Sequence, residues 1–244
     1  MSTPKKGIDI SWCQTQVDWS KVDVDFVIVQ IGGGYIANTK DAMFESHYAG
    51  AKSRGIPVGG YWFTHAVNEA QARQEADTCI ALMKGKQFEY PIYLDLEKDA
   101  QYKLGKESVS KIIRAWLERV EAAGYWVGLY SNLSFLYGVT DDDIEDRYAI
   151  WLAQWDVSKP TYNRSYGLWQ YGVGKAGTAS AVLGVAGDCD LDYGYVDYPT
   201  LIKERGLNGF GSSKPPESDN QDADEIAVEM TVNGVKYAGK LKKA

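Results

Sequence analysis

The run Phe26-Val27-Ile28-Val29-Gln30-Ile31 is apolar on both of its alternating faces. A strand of that kind must be covered on both sides, as in a sheet of parallel strands enclosed by helices. Comparable short runs recur along the chain: Ile8–Ser11 at the start, Ile56–Phe63, Ile92-Tyr93-Leu94, Trp126–Ser131, Ala149–Trp155, Tyr166–Tyr171 and Cys189–Asp192. Helical spacing separates the earlier ones. One helix is expected from near Asp41 to before Gly55, and a second, capped by Asn68, runs to about Lys84. The clearest is Glu107–Ala123, where Val109, Ile112, Ile113, Trp116, Leu117 and Val120 form one stripe and Gly124 supplies the stop. A short helix near Val196–Glu204 closes this region. Strand and helix alternate in the first half and strands dominate the last third. This predicts an α/β, TIM-like parallel barrel whose final units have lost their helices.

At 244 residues the chain has room for one such barrel or two small domains. The net charge of −7 argues against sequence-independent binding to nucleic acid. No apolar run approaches a membrane span, so no membrane insertion is expected. The opening Met-Ser-Thr-Pro-Lys-Lys-Gly lacks an apolar core of the signal-peptide kind, and the expectation is a chain made in a reducing cytosol. Cys13, Cys79 and Cys189 have no metal-ligand spacing and read as free thiols. Gly32-Gly33-Gly34-Tyr35-Ile36-Ala37 formally matches a dinucleotide fingerprint, but turn formers follow it instead of an apolar-periodic helix, and it reads as a permissive loop.

The chemistry centres on Asp95-Leu96-Glu97, which follows the strand Ile92-Tyr93-Leu94. Residues two apart on a strand point the same way, roughly 6–7 Å apart at Cα. Two carboxylates held that close and partly dried cannot both ionise freely. One pKa is expected to rise, leaving an acid beside a base, which is what cleavage of a glycosidic bond requires. In a barrel the chemistry lies at the carboxyl ends of the strands. Asp9 and Asp190, from the first and last strands, are expected to join Asp95 and Glu97 there. The competing use of four acids is oxygen ligation of calcium or magnesium; His47 and His65 do not fall in a ligand spacing, and no metal or other cofactor is expected.

These residues resemble glycoside hydrolase family 25, the muramidases frequent among bacteriophage endolysins. Gly7-Ile8-Asp9-Ile10-Ser11 resembles the family's opening motif and Gly59-Gly60-Tyr61-Trp62-Phe63 its G-x-Y-H-F strand. Leu94–Glu97 resembles its D-x-E. Ala149–Trp155, Trp169-Gln170-Tyr171 and Cys189–Asp192 resemble its W-L-A, W-Q-Y and V-D-L-D segments. The resemblance runs from about residue 6 to residue 210. It implies a (β/α)5(β)3 barrel that cuts the β-1,4 bond between N-acetylmuramic acid and N-acetylglucosamine in bacterial peptidoglycan. It also implies Glu97 as general acid, Asp95 as its partner, Asp9 and Asp190 completing the acidic cluster, and Tyr61, Tyr130, Trp155 and Gln170 lining the groove. Retention of configuration is implied as well, with the nucleophile either the sugar's acetamido oxygen or a carboxylate. The departures are Trp62 in place of the usual histidine, and Gly33-Gly34 where an acidic or polar pair is frequent; they bear on fine specificity more than on activity.

After Phe210 the composition changes. A linker over 211–225 is rich in Ser, Pro and acids, and residues 226–244 alternate apolar and polar around Asn233-Gly234, a hairpin signal. A lone hairpin is marginal in water, so it is expected to pack on the barrel, self-associate or bind the cell wall.

Overall fold

A computed structural model describes residues 3–36 and 39–211, together with the backbone of 225–232 and 235–242. Eight strands close into a barrel in chain order: β1 (Lys5–Ile10), β2 (Phe26–Gly33), β3 (Val58–Phe63), β4 (Ile92–Asp95), β5 (Val127–Asn132), β6 (Ala149–Ala153), β7 (Leu168–Gly174) and β8 (Cys189–Gly194). The first seven run parallel to their neighbours. The last is reversed, antiparallel to both β7 and β1. The expectation of a parallel barrel is corrected at this one strand. The loop between Gly174 and Cys189 turns the chain back at the same end of the barrel, so β8 enters from the mouth.

Helices lie between β2 and β6: α1 (Phe44–Ser53), α2 (Glu69–Met83), α3 (Asp99–Tyr102), α4 (Gly105–Ala122), α5 (Leu133–Val139) and α6 (Asp142–Arg147), with α7 (Tyr198–Glu204) after β8. The β1–β2 connection has turns and no helix. As expected, Asn68 caps α2, its side chain accepting from Gln71 N at 3.0 Å, and the stripe from Val109 to Val120 on α4 is buried. No helix among the described residues is long and apolar enough to cross a membrane.

Period-two alternation sorts the strand side chains into two cores. Phe26, Ile28, Tyr93, Tyr130, Trp151 and Leu168 fill the barrel. Their sequence neighbours Val27, Val29, Leu94, Leu129, Ile150 and Leu152 face the helices. Gly128 makes room for the interior ring of Tyr93, since a Cβ there would lie 2.5 Å from Tyr93 Cε1 and from the carbonyl of Ala149.

Trp62 belongs to the helix-facing core and is fully buried. Its indole Nε1 donates to Glu75 Oε2 of α2 at 3.0 Å, and Glu75 Oε1 accepts from His65 N at 2.9 Å. A bearing of Trp62 on specificity is therefore corrected, because it points away from the barrel mouth. Gly33 is corrected likewise: a Cβ there would meet the Phe63 carbonyl at 2.6 Å, so the position has no space for a groove-lining side chain.

The chain divides into two units, Met1–Gly211 and Ser212–Ala244. In the second, β9 (Glu225–Val232) pairs antiparallel with β10 (Val235–Lys242), Val232 opposite Val235 and Glu225 opposite Lys242. The expected turn at Asn233-Gly234 and the linker residues 212–224 lie outside the described residues.

Glu75 satisfies the buried Trp62 indole and the part-buried His65 N–H, donors that cost about 1–3 kcal/mol each when stranded. Replacing it with alanine is expected to destabilise the barrel by about 2–5 kcal/mol, read from the urea midpoint at unchanged m-value.

Candidate active site

The same alternation that sorts the core aims a ring of polar side chains into the barrel mouth. Asp9 near the end of β1 pairs in register with Ile28 of β2 and Asp190 of β8. Asp95 ends β4 beside Phe63 of β3 and Tyr130 of β5. Because β8 is reversed, its amino-terminal end lies at the mouth, and Asp190 reaches the site from the start of its strand.

Tyr130 is where these groups converge. Its phenol is pushed far up by burial, and then by the charges of Asp95, Glu97, Asp9 and Asp190 together. The charges of all four carboxyls expected from the sequence therefore bear on this one hydroxyl. Tyr130 Oη donates to Gln170 Oε1 at 2.9 Å, and Trp155 Nε1 donates to the same oxygen at 3.0 Å. Gln170 Nε2 in turn donates to Asp9 Oδ2 at 2.8 Å. Tyr61, whose phenol is raised by burial and by the charges of Asp9 and Asp95, stands edge-on to Trp151 with ring centroids 6.0 Å apart. Trp155 is 44% exposed at the rim. The four expected groove residues are thus part of this mouth.

The carboxyls differ in environment. Asp95 is buried, and that burial, followed by the neighbouring Glu97 charge, lifts its pKa well above the usual range. Its Oδ1 has no hydrogen-bond partner among the described residues. Glu97 lies beyond the strand end and is open to solvent; partial desolvation raises it while Lys98 opposes the rise. The expectation that one of the pair rises is refined: both rise, and the buried Asp95 rises more. Asp190 is pushed up to about 6 by burial, Glu97 and Asp188.

Two depressions flank the cluster. One, of about 520 Å³, runs from Glu97 past Asn132 and Phe135 to Gln154. The other, of about 470 Å³, lies between Trp12, Asp41, Phe63 and His65. Glu97 lines the first, and the second lies over the ends of β2 and β3. A further depression, about 680 Å³ between Trp19, His47 and Leu183, contains none of these carboxyls.

Sequence reading passed over Asp192 and Trp151. Asp192 is fully buried and accepts from Trp151 Nε1 at 2.7 Å. The signal was present, since Asp190 and Asp192 are two apart on one strand and share a face, the reasoning already applied to Asp95 and Glu97.

The sequence description of glycosyl hydrolases family 25 matches residues 8–176, a span that includes Asp9, Asp95, Glu97, Tyr130 and Gln170. The chain belongs to that family. It is 25% identical over 218 residues to an autolytic lysozyme of Clostridium acetobutylicum, covering 88% of this chain and 64% of the relative, so the chain spans under two thirds of that protein. The crystal structure of a lysozyme from Streptomyces coelicolor superposes with a TM-score of 0.70 at 25% identity, covering 86% of this chain and 100% of the other. The modular autolysin LytC from Streptococcus pneumoniae, solved with a synthetic peptidoglycan ligand, gives a TM-score of 0.67 at 29% identity over 80% of this chain and 48% of LytC.

The raised carboxyls link the site to stability. A carboxyl whose pKa is higher folded than unfolded binds more protons in the folded state, so it destabilises the fold as pH rises through the interval between the two values. For Asp190 the interval runs from about 4 to about 6. Asp190→Asn is expected to melt higher than wild type at pH 8 and at the same temperature near pH 4, as read by thermal unfolding at the two pH values.

Proposed function

We propose that this protein is a muramidase, hydrolysing the β-1,4 bond between N-acetylmuramic acid and N-acetylglucosamine in bacterial peptidoglycan. The observation that carries this reading is the placing of Asp9, Asp95 and Asp190 at the barrel mouth, Asp95 in register with Tyr130 and Asp9 tied to it through Gln170, with Glu97 lining the depression beside them. Membership of the family and the lysozyme relatives support it.

In the proposed mechanism Glu97 is the general acid. It stands open at the edge of one depression, where it reaches the leaving glycosidic oxygen. As the C1–O bond breaks, the acetamido carbonyl oxygen of the same sugar closes on C1, and Asp95 accepts the acetamido N–H. The partnerless Asp95 Oδ1 supports that role, because a buried acceptor without a donor is completed by a ligand that supplies one. Water then attacks C1 from the face the leaving group vacated, Glu97 takes its proton, and the ring-closed acetamido group reopens. Configuration at C1 is retained by two inversions. Cleavage of the wall by a lysin made in the cytoplasm and released through a separate pore is the biological setting we infer. An enzyme that cuts its own cell's wall has to be held away from it until release.

Glu97→Gln is expected to lower reducing-end release from purified Gram-positive peptidoglycan by ~10²–10⁴, and peptidoglycan stripped of its N-acetyl groups is expected to resist the wild-type enzyme. Wild-type protein that pellets with the wall but releases no muramic acid ends overturns the reading in favour of a silent glycan-binding barrel. Cleavage of the deacetylated wall at the normal rate instead removes acetamido assistance and leaves a carboxylate nucleophile.

A further inference from the structure

We propose that Asp192 is a positioning residue for the reaction, holding Asp9 through a single proton shared between their two carboxyls. The catalytic consequence rests on the muramidase reading; the shared proton does not.

Counting donors and acceptors leads to it. An indole nitrogen can only donate, so Trp155 at 3.0 Å fixes Gln170 Oε1 as an acceptor and turns Gln170 Nε2 towards Asp9 Oδ2, 2.8 Å away. Trp151, also donor-only, is committed to Asp192 Oδ1 at 2.7 Å. Asp192 Oδ2 is then left fully buried without a donor among the described residues. In the antiparallel register of β1 and β8, Asp192 stands opposite Gly7, two residues from the Asp9–Asp190 pair. By period-two alternation Asp9 and Asp192 lie on the same inward face, as diagonal neighbours across the β1–β8 seam. Two carboxylates are both acceptors and cannot bond each other. One proton between them satisfies Asp192 and leaves the pair with one negative charge.

The surroundings favour that state. Burial lifts both groups, Asp9 well above the usual range and Asp192 to about 7. The charged group that faces the pair on β8 is Asp190, itself under the charge of Glu97 from beyond β4. Phenols face it from β3 (Tyr61), β4 (Tyr93) and β5 (Tyr130), and the Cys189 thiol lies beside it on β8. A second full charge would find no compensating cation among these groups. The dyad instead fixes Asp9 from one side as Gln170 fixes it from the other.

The test compares full-length wild type with Asp192→Asn and Asp192→Ala by infrared titration and by hydrolysis of peptidoglycan. Wild type is expected to keep protonated-carboxyl C=O absorption at neutral pH, and Asp192→Asn to lose part of it. Asp192→Ala is expected to lower kcat by ~100-fold with little change in KM, the scale of a misplaced catalytic group. Asparagine can donate to Asp9 and accept from Trp151, so it is expected to recover at least ~10-fold of that loss and to move the alkaline limb of the kcat/KM profile. Unchanged carboxyl absorption in Asp192→Asn overturns the proposal, as does an asparagine variant no better than alanine when both melt like wild type. If the alanine variant does not fold, the absorption and the pH limb of Asp192→Asn decide. Wild type that cuts no peptidoglycan fails the muramidase reading alone, since the absorption still tests the shared proton.

Discussion

Holding several carboxyls together out of water is the constraint on which the rest of this barrel depends. Asp9, Asp95 and Asp192 are buried, and Asp190 and Glu97 stand close enough to press on their neighbours. Burial penalises each charge and proximity adds to the penalty. The scaffold meets this with fixed donors: indoles from Trp151 and Trp155, the amide of Gln170 and the hydroxyl of Tyr130. Aromatic rings surround these donors. Tyr130 packs edge-on to Trp151 at 4.5 Å, and Tyr93 does so at 5.3 Å. The heavy aromatic content is therefore in part the lining that keeps the mouth dry and its donors aimed.

The two halves of the acidic cluster have different characters. Asp95 and Glu97 follow one another out of β4, so one is buried and the other reaches solvent, a gradient suited to a group that moves protons beside one that receives a substrate amide. Asp9, Asp190 and Asp192 come from the β1–β8 seam, where the sheet closes, and their geometry depends on closure. The first pair is set by local chain direction and the second by a pairing across nearly the whole barrel.

Much of this was legible in the sequence because it rests on local periodicity. The apolar run at Phe26–Ile31, the stripe along α4, the Asn68 cap and the place of Asp95 at the end of its strand all follow from which residues alternate and which recur each turn. What escaped was non-local or too short to show a period. The direction of β8 leaves no mark on its own alternation, since Cys189–Asp192 reads the same either way. The helices α5 and α6 span only Leu133–Val139 and Asp142–Arg147, too short for a stripe, although Asn132 caps the first through Ser134 N at 3.0 Å. Trp62 stood in a motif that pointed to the groove, and only the second core beneath α2 gives its bulk and its indole N–H a place. Asp192 was passed over for want of applying to the last strand the rule used on the fourth.

The reversed last strand also bears on how the protein comes into being. Asp9 leaves the ribosome among the first residues, yet Asp190 and Asp192, the strand that closes the sheet, and Asn208, whose side chain clasps the carbonyls of Phe88 and Tyr90, all emerge near the end of the barrel. Until then β1 has one unpaired edge and the mouth is half built. A nascent or prematurely terminated chain thus carries Asp95 and Glu97 without the ring that surrounds them. The ring of carboxyls is therefore complete only once the last strand has closed the sheet.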